Sequence, residues 1–144
     1  DLIEKDHTSV QKFKQQIEDV FKFIPYAPVV FISALTGKRC PNIFKVVKDV
    51  AYERTKRVST GELNKVLKRC LTKHSPPVYR GRSVKLYYGV QVSSAPPRFA
   101  LFFNYPKEVH FSYQRFIKIS IRDAFGFHGT DIKFSMRKRG ESRE

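Results

Sequence analysis

The chemistry of this chain is carried by cations and rings. Its 144 residues hold 28 Lys and Arg against 13 Asp and Glu, together with 7 Tyr and 13 Phe. Cys40 and Cys70 are the only cysteines, and they stand far apart with no second pair or histidine spacing to frame a metal. His7, His74, His110 and His128 fall in different expected elements. No nucleophile, base and acid therefore converge by spacing, and the sequence offers no catalytic constellation.

The cations are unevenly spread. Residues 1 to 53 carry 8 Lys and Arg against 7 Asp and Glu, residues 54 to 104 carry 11 against 1, and residues 105 to 144 carry 9 against 5. A near-neutral first third joined to a strongly basic remainder predicts two units with different partners, the second facing a polyanion such as RNA. No apolar run approaches the roughly 20 residues that cross a membrane, and no charged and apolar leader opens the chain. These features predict a reduced, cytoplasmic protein that avoids membranes. The start at Asp1, without methionine, suggests a fragment.

The elements that position the cations follow from periodicity. Ser59-Thr60-Gly61-Glu62 has capping-box spacing, and Leu63, Val66, Leu67, Cys70 and Leu71 then recur on one helix face, with Lys65, Lys68, Arg69 and Lys73 opposite. Pro76-Pro77 stops that helix, and a loop carrying Arg80 and Arg82 follows. Val84, Leu86, Tyr88, Val90 and Val92 alternate with Lys85, Tyr87, Gly89 and Gln91, which predicts a strand. A partner strand holds Phe99, Leu101 and Phe103 inward, with Arg98, Ala100, Phe102 and Asn104 outward. Ser112 is the expected N-cap of a second helix with Tyr113, Phe116, Ile117, Ser120, Ile121 and Ala124 inside. Gly126 is placed to end it in a left-handed conformation. Ile132, Phe134 and Met136, alternating with Lys133, Ser135 and Arg137, make a third strand before the basic run Arg137-Lys138-Arg139. The fold class is therefore α+β, an α-β-β-α-β unit with a three-stranded sheet over residues 55–140, and 141–144 as a tail.

Residues 1–54 read differently. Thr8-Ser9-Val10-Gln11 has capping-box spacing before an amphipathic helix that reaches Pro25. Val29-Val30-Phe31-Ile32 has the continuous apolar character of a strand buried on both faces. Ser33-Ala34-Leu35-Thr36-Gly37 ends it, and a helical period restarts near Asn42. Together these look like the last portion of an α/β layer.

Three resemblances attach to these residues. Ser33-Ala34-Leu35 after an apolar strand resembles the element that closes the guanine pocket of Ras-like GTPases, which implies a nucleotide-binding remnant of Ser33, Ala34 and Leu35, with Asp1 where the guanine-reading aspartate would stand. Gly126-Phe127-His128-Gly129 matches the G-x-x-G clamp of KH domains only in letters: the clamp needs a helix on both sides, whereas Thr130 leads into a strand, so a helix cap plus turn is expected. The whole order resembles the C-terminal part of the tandem ribosome-assembly GTPases of the Der or EngA type. It is carried by Ile32-Ser33-Ala34-Leu35-Thr36-Gly37, Ser59-Thr60-Gly61-Glu62-Leu63-Asn64, Lys85-Leu86-Tyr87-Tyr88, Pro96-Pro97-Arg98-Phe99, His110-Phe111-Ser112-Tyr113 and Ala124-Phe125-Gly126-Phe127.

That resemblance implies the end of a second GTPase domain followed by a KH-like domain. It implies GTP and Mg as cofactors of the full-length protein, none for this stretch, which lacks a phosphate-binding loop. The implied partners are ribosomal RNA of the large subunit and the protein's own GTPase domains, with the chain a monomer. Lys65, Lys68, Arg69, Lys73, Arg80, Arg82, Arg137, Lys138 and Arg139 are the expected RNA contacts. Tyr87, Arg98 and Phe102 on the open sheet face either stack bases or dock a neighbouring domain, and docking is slightly favoured.

Overall fold

The computed structural model describes residues 7–140, with side chains from residue 9 onward. Helix α1 spans His7–Val20 and α2 spans Pro41–Thr55; α3, Thr60–Lys73, is followed by strands β1, Leu86–Ser94, and β2, Pro97–Phe103; then come α4, Phe111–Phe125, and β3, Lys133–Lys138. The sheet order is β1-β2-β3, with β1 antiparallel and β3 parallel to the central β2. The parallel pair needs a crossover, and α4 is that crossover.

α3 begins where its capping box predicts. The Ser59 hydroxyl oxygen accepts from the Glu62 N–H at 3.2 Å and its O–H donates to the Glu62 carboxylate at 2.7 Å. Leu63 and Leu67 from α3, and Tyr113, Ile117 and Ile121 from α4, bury against Leu86, Phe99, Leu101 and Phe103 of the sheet. Each fully buried side chain of this size contributes on the order of 1.5 to 3 kcal/mol. Phe127 and Ile132 close the same core from the turn before β3.

The cap of α4 corrects the expectation. His110, not Ser112, is the N-cap: its Nδ1 accepts from the Ser112 N–H at 3.3 Å, so Ser112 supplies the orphan donor rather than the cap. At the other end Gly126 has a positive φ of 89°, but its ψ of −104° lies outside the left-handed helical well.

β1 departs most from its alternation. Leu86 pairs with Phe103, but Tyr88 pairs with Phe102, so Tyr87 is an extra residue in a bulge. One inserted residue exchanges the faces of everything after it. Gly89 and Gln91, expected outside, therefore face α3 and its linker, while Tyr88 lies on the open side with Phe102.

The exchange has a cause in α3. Asn64 clamps Gly89 in both directions, its Oδ1 accepting from the Gly89 N–H and its Nδ2 donating to the Gly89 carbonyl, each at 2.9 Å. A Cβ at position 89 would stand 2.7 Å from Leu67 Cδ1, which only glycine avoids. Gln91 Oε1 accepts from the Val58 N–H at 2.7 Å and its Nε2 donates to the Lys56 carbonyl at 2.9 Å, fixing the α2–α3 linker.

In the first unit, Val29-Val30-Phe31-Ile32 is not a strand. A strand needs a ladder partner, and among the described residues none runs beside it; Val29 and Ile32 are exposed. α1 ends at Val20, short of Pro25, and already includes His7, so Thr8 falls inside the helix instead of capping it.

Candidate nucleic-acid interface

The register places the two ends of the KH-like unit in different surroundings. β1 begins where β2 and β3 finish, because β1 is antiparallel to β2 and β3 is parallel to it. α3 runs along β1 from Gln91 toward Leu86, as its contacts from Val58 and Asn64 show, so its last turn reaches the same end. Tyr113, near the start of α4, ties in there as well, its O–H donating to the His74 carbonyl at 3.0 Å. Burial pushes that phenol up to about 12, with Cys70 adding to the effect.

This end collects cations. Asn104 Oδ1 accepts from the Lys85 N–H at 2.7 Å and Asn104 Nδ2 donates to the Ser83 carbonyl at 2.9 Å, which holds the loop of Arg80 and Arg82 against the end of β2. The Arg139 N–H bonds the Phe103 carbonyl at 3.1 Å and brings Arg137, Lys138 and Arg139 to the same place. Three arginines lie on tyrosine rings: Arg80 on Tyr79 at 5.3 Å, Arg82 on Tyr105 at 5.6 Å and Arg139 on Tyr87 at 4.8 Å. Tyr88 stacks on Phe102 with ring centroids 4.4 Å apart and planes 15° apart.

The expected RNA residues therefore fall into two groups. Arg80, Arg82, Arg137, Lys138 and Arg139 converge, and Lys73 closes α3 at the same end. Lys65, Lys68 and Arg69 are exposed on the outer face of α3, turned away from the sheet that its Leu63 and Leu67 cover. Tyr87 and Phe102 belong to the first end. Arg98 does not: it pairs with Ser93 and Lys133 at the opposite end of β2. Ala100, expected on the open patch, is fully buried between Val90 and Ser135. Sequence reasoning missed Tyr79, Tyr88 and Tyr105; the bulge hid Tyr88, and the other two lie in loops without periodicity.

The opposite end is occupied by the protein itself. The Gly126–Gly129 turn lies against α2 and the segment before it. The Phe127 N–H donates to Glu53 Oε2 at 2.5 Å, and Phe127 is fully buried although its φ is 61°. Lys56 Nζ meets Glu53 Oε1 at 2.6 Å and the Phe125 carbonyl at 3.0 Å, putting a cation on the C-terminus of α4. The Gly129 N–H donates to the Tyr26 carbonyl at 3.0 Å, and a Cβ on Gly129 would stand 2.3 Å from Val50 Cγ2. Arg122 lies 4.5 Å over the Tyr26 ring and donates to the carbonyls of Phe127 and Thr130.

Electrostatics at this seam are shaped by burial. Burial pushes the Glu53 carboxyl up, but hydrogen bonds from Lys56 and from the Phe127 N–H outweigh it and hold the group below the ordinary carboxylate value. Burial pulls Arg122 down, opposed by Tyr26 and Asp131. A G-x-x-G turn packed this way has no open side for a nucleic-acid backbone.

The guanine-remnant residues are placed as follows. Ser33 Oγ accepts from the Thr36 hydroxyl at 2.7 Å and from the Thr36 N–H at 3.2 Å, while the Ser33 N–H donates to the Lys38 carbonyl at 2.9 Å. Ala34 and Leu35 are exposed on that loop. Asp1 lies outside the described residues. Among the described residues no group of three or more His, Cys, Asp or Glu could hold a metal, and no helix is long and apolar enough to cross a membrane.

Comparison with known proteins agrees with the architecture. Residues 57–137 match the family model described as KH-domain-like of EngA bacterial GTPase enzymes, C-terminal. The chain is 44% identical over 140 residues to the GTPase Der of Fusobacterium nucleatum, covering 96% of this chain and 32% of that protein. It is 42% identical to the GTPase Der of Halothermothrix orenii and 40% identical to that of Syntrophotalea carbinolica, with the same coverage of each. The chain thus spans about a third of the length of these relatives.

Proposed function

The chain belongs to the KH-domain-like C-terminal family of the EngA bacterial GTPases, and from that membership we propose that it is the RNA-binding portion of a cytoplasmic GTPase that assists assembly of the large ribosomal subunit. The observation that carries this reading is the contrast between the two ends of the unit. Arg80, Arg82, Arg137, Lys138 and Arg139 gather beside exposed tyrosines at one end, while the turn that a KH domain would use lies under α2. Phosphate contacts from these cations supply most of the affinity, and Lys65, Lys68 and Arg69 flank them. Ser33, Ala34, Leu35 and Asp1 touch at most a guanine base. GTP and Mg belong to the preceding portion of the full-length protein, and the chain itself, a monomer, neither binds nor hydrolyses the nucleotide usefully.

Two titrations test this. Anisotropy of a labelled large-subunit RNA fragment should show an affinity that falls linearly on a log–log plot between about 50 and 200 mM salt. RNA binding without salt dependence, or none at the lower salt, contradicts the reading. Saturable micromolar binding of a fluorescent guanine nucleotide contradicts the assignment of the chemistry elsewhere.

A second reading is motivated by the stacked Tyr88–Phe102 pair on the open sheet face. Such a patch suits docking on the protein's own GTPase domains. Mixing the chain with a separately expressed GTPase portion tests it, and a change in nucleotide turnover that Tyr88→Ser abolishes is the supporting result.

A further inference from the structure

The bulge at Tyr87 produces a surface that regular alternation forbids. Consecutive strand residues point to opposite faces, so only one of two adjacent tyrosines would reach solvent on a strand with one covered face. Here Tyr87 and Tyr88 are 42% and 39% exposed. Tyr87 carries the Arg139 guanidinium, Tyr105 carries that of Arg82, and Phe102, stacked on Tyr88, pairs through its backbone with Arg137. Each solvent-facing ring thus has a cation at its side.

We propose that this end takes unpaired RNA nucleotides, with bases stacking on Tyr87, Tyr88 and Tyr105 while Arg82, Arg137 and Arg139 meet the adjoining phosphates. The inference rests on the RNA-binding reading above and narrows it to single-stranded segments, loops and bulges. A base has two ring faces, and in an A-form duplex both are covered by its neighbours; the deep, narrow major groove hides its edges as well. Against a duplex only the phosphate contacts remain. Against an unpaired segment the rings add stacking, which is tolerant of base identity and raises affinity about tenfold for each ring used. The arginine beside each ring is already positioned, so ring and cation act on the same nucleotide.

The test compares the full chain on a labelled single-stranded RNA of about twelve nucleotides with a duplex of equal length, and follows 2-aminopurine quenching in the single strand. The single strand should bind about tenfold tighter or better. Tyr87→Ser with Tyr105→Ser should bring it to the duplex level without changing the salt slope, whereas Tyr87→Phe with Tyr105→Phe should bind like the parent. Should the serine pair lose its thermal transition, quenching by the unaltered chain still decides. Equal affinity for both RNAs, with no quenching and no effect of the serine pair, overturns the stacking and leaves a phosphate-only interface. Failure to bind either RNA at low salt sinks the RNA-binding reading and this inference with it.

Discussion

The two ends of the KH-like unit use similar residues for opposite purposes. At the α2 end, Arg122 lies over Tyr26 and Lys56 over Phe127, and each also bonds buried carbonyls, so the cations are consumed by the fold. At the end where β2 and β3 finish, Arg80, Arg82 and Arg139 lie over exposed tyrosines without an acidic partner among the described ion pairs. The difference teaches that a cation near a ring is not by itself a binding site. What decides is whether its hydrogen-bond donors are already spent.

The comparison breaks most severely at Phe127. This ring is fully buried and packs edge-on against Phe99 at 5.8 Å, so Phe127→Ala should cost about 3 to 5 kcal/mol in urea unfolding. RNA affinity per folded molecule should stay at the parent value, since the lesion lies at the occupied end. Gly129→Ala comes next. Its φ of 72° and the 2.3 Å approach of Val50 leave no room for a methyl group, and a loss of about 1 to 3 kcal/mol is expected by the same measurement.

Glu53 sharpens the comparison through pH. Its carboxyl is held below the ordinary value in the folded protein, so its contribution is fully present above the unfolded-state value near 4.5 and is lost as pH falls through the folded value. Glu53→Gln should lower stability by about 1 to 2 kcal/mol at pH 7 and flatten the acid limb of the stability–pH curve. An unchanged acid limb would mean that other carboxylates govern it.

Much of the fold is legible in local pattern. Ser59 and Glu62 announce α3, Phe99, Leu101 and Phe103 announce β2, and Tyr113, Ile117 and Ile121 announce the buried face of α4, because each signal acts within a few residues. The features that escape are those set by tertiary partners. The bulge depends on Asn64 gripping Gly89 across 25 positions, and the seam depends on Glu53 reaching Phe127 across 74. Val29-Val30-Phe31-Ile32 has strand composition, yet composition cannot supply a ladder. Among the candidate contacts, the sequence reveals the cations but not their division into a converged group and a flanking one, since Arg82 meets Tyr105 and Arg139 meets Tyr87 only through the sheet register.

The central claim is that the end formed by the finishing strands, and not the outer face of α3, is the main polyanion contact. Two triple variants of the full chain test it side by side by anisotropy on the same single-stranded ribosomal RNA. Arg82→Gln, Arg137→Gln and Arg139→Gln together should weaken binding strongly and shrink the salt slope by about two to three phosphate contacts' worth. Lys65→Gln, Lys68→Gln and Arg69→Gln together should have a smaller effect, and both variants should keep the parent's thermal transition. A larger loss from the α3 variant than from the arginine variant would contradict the account.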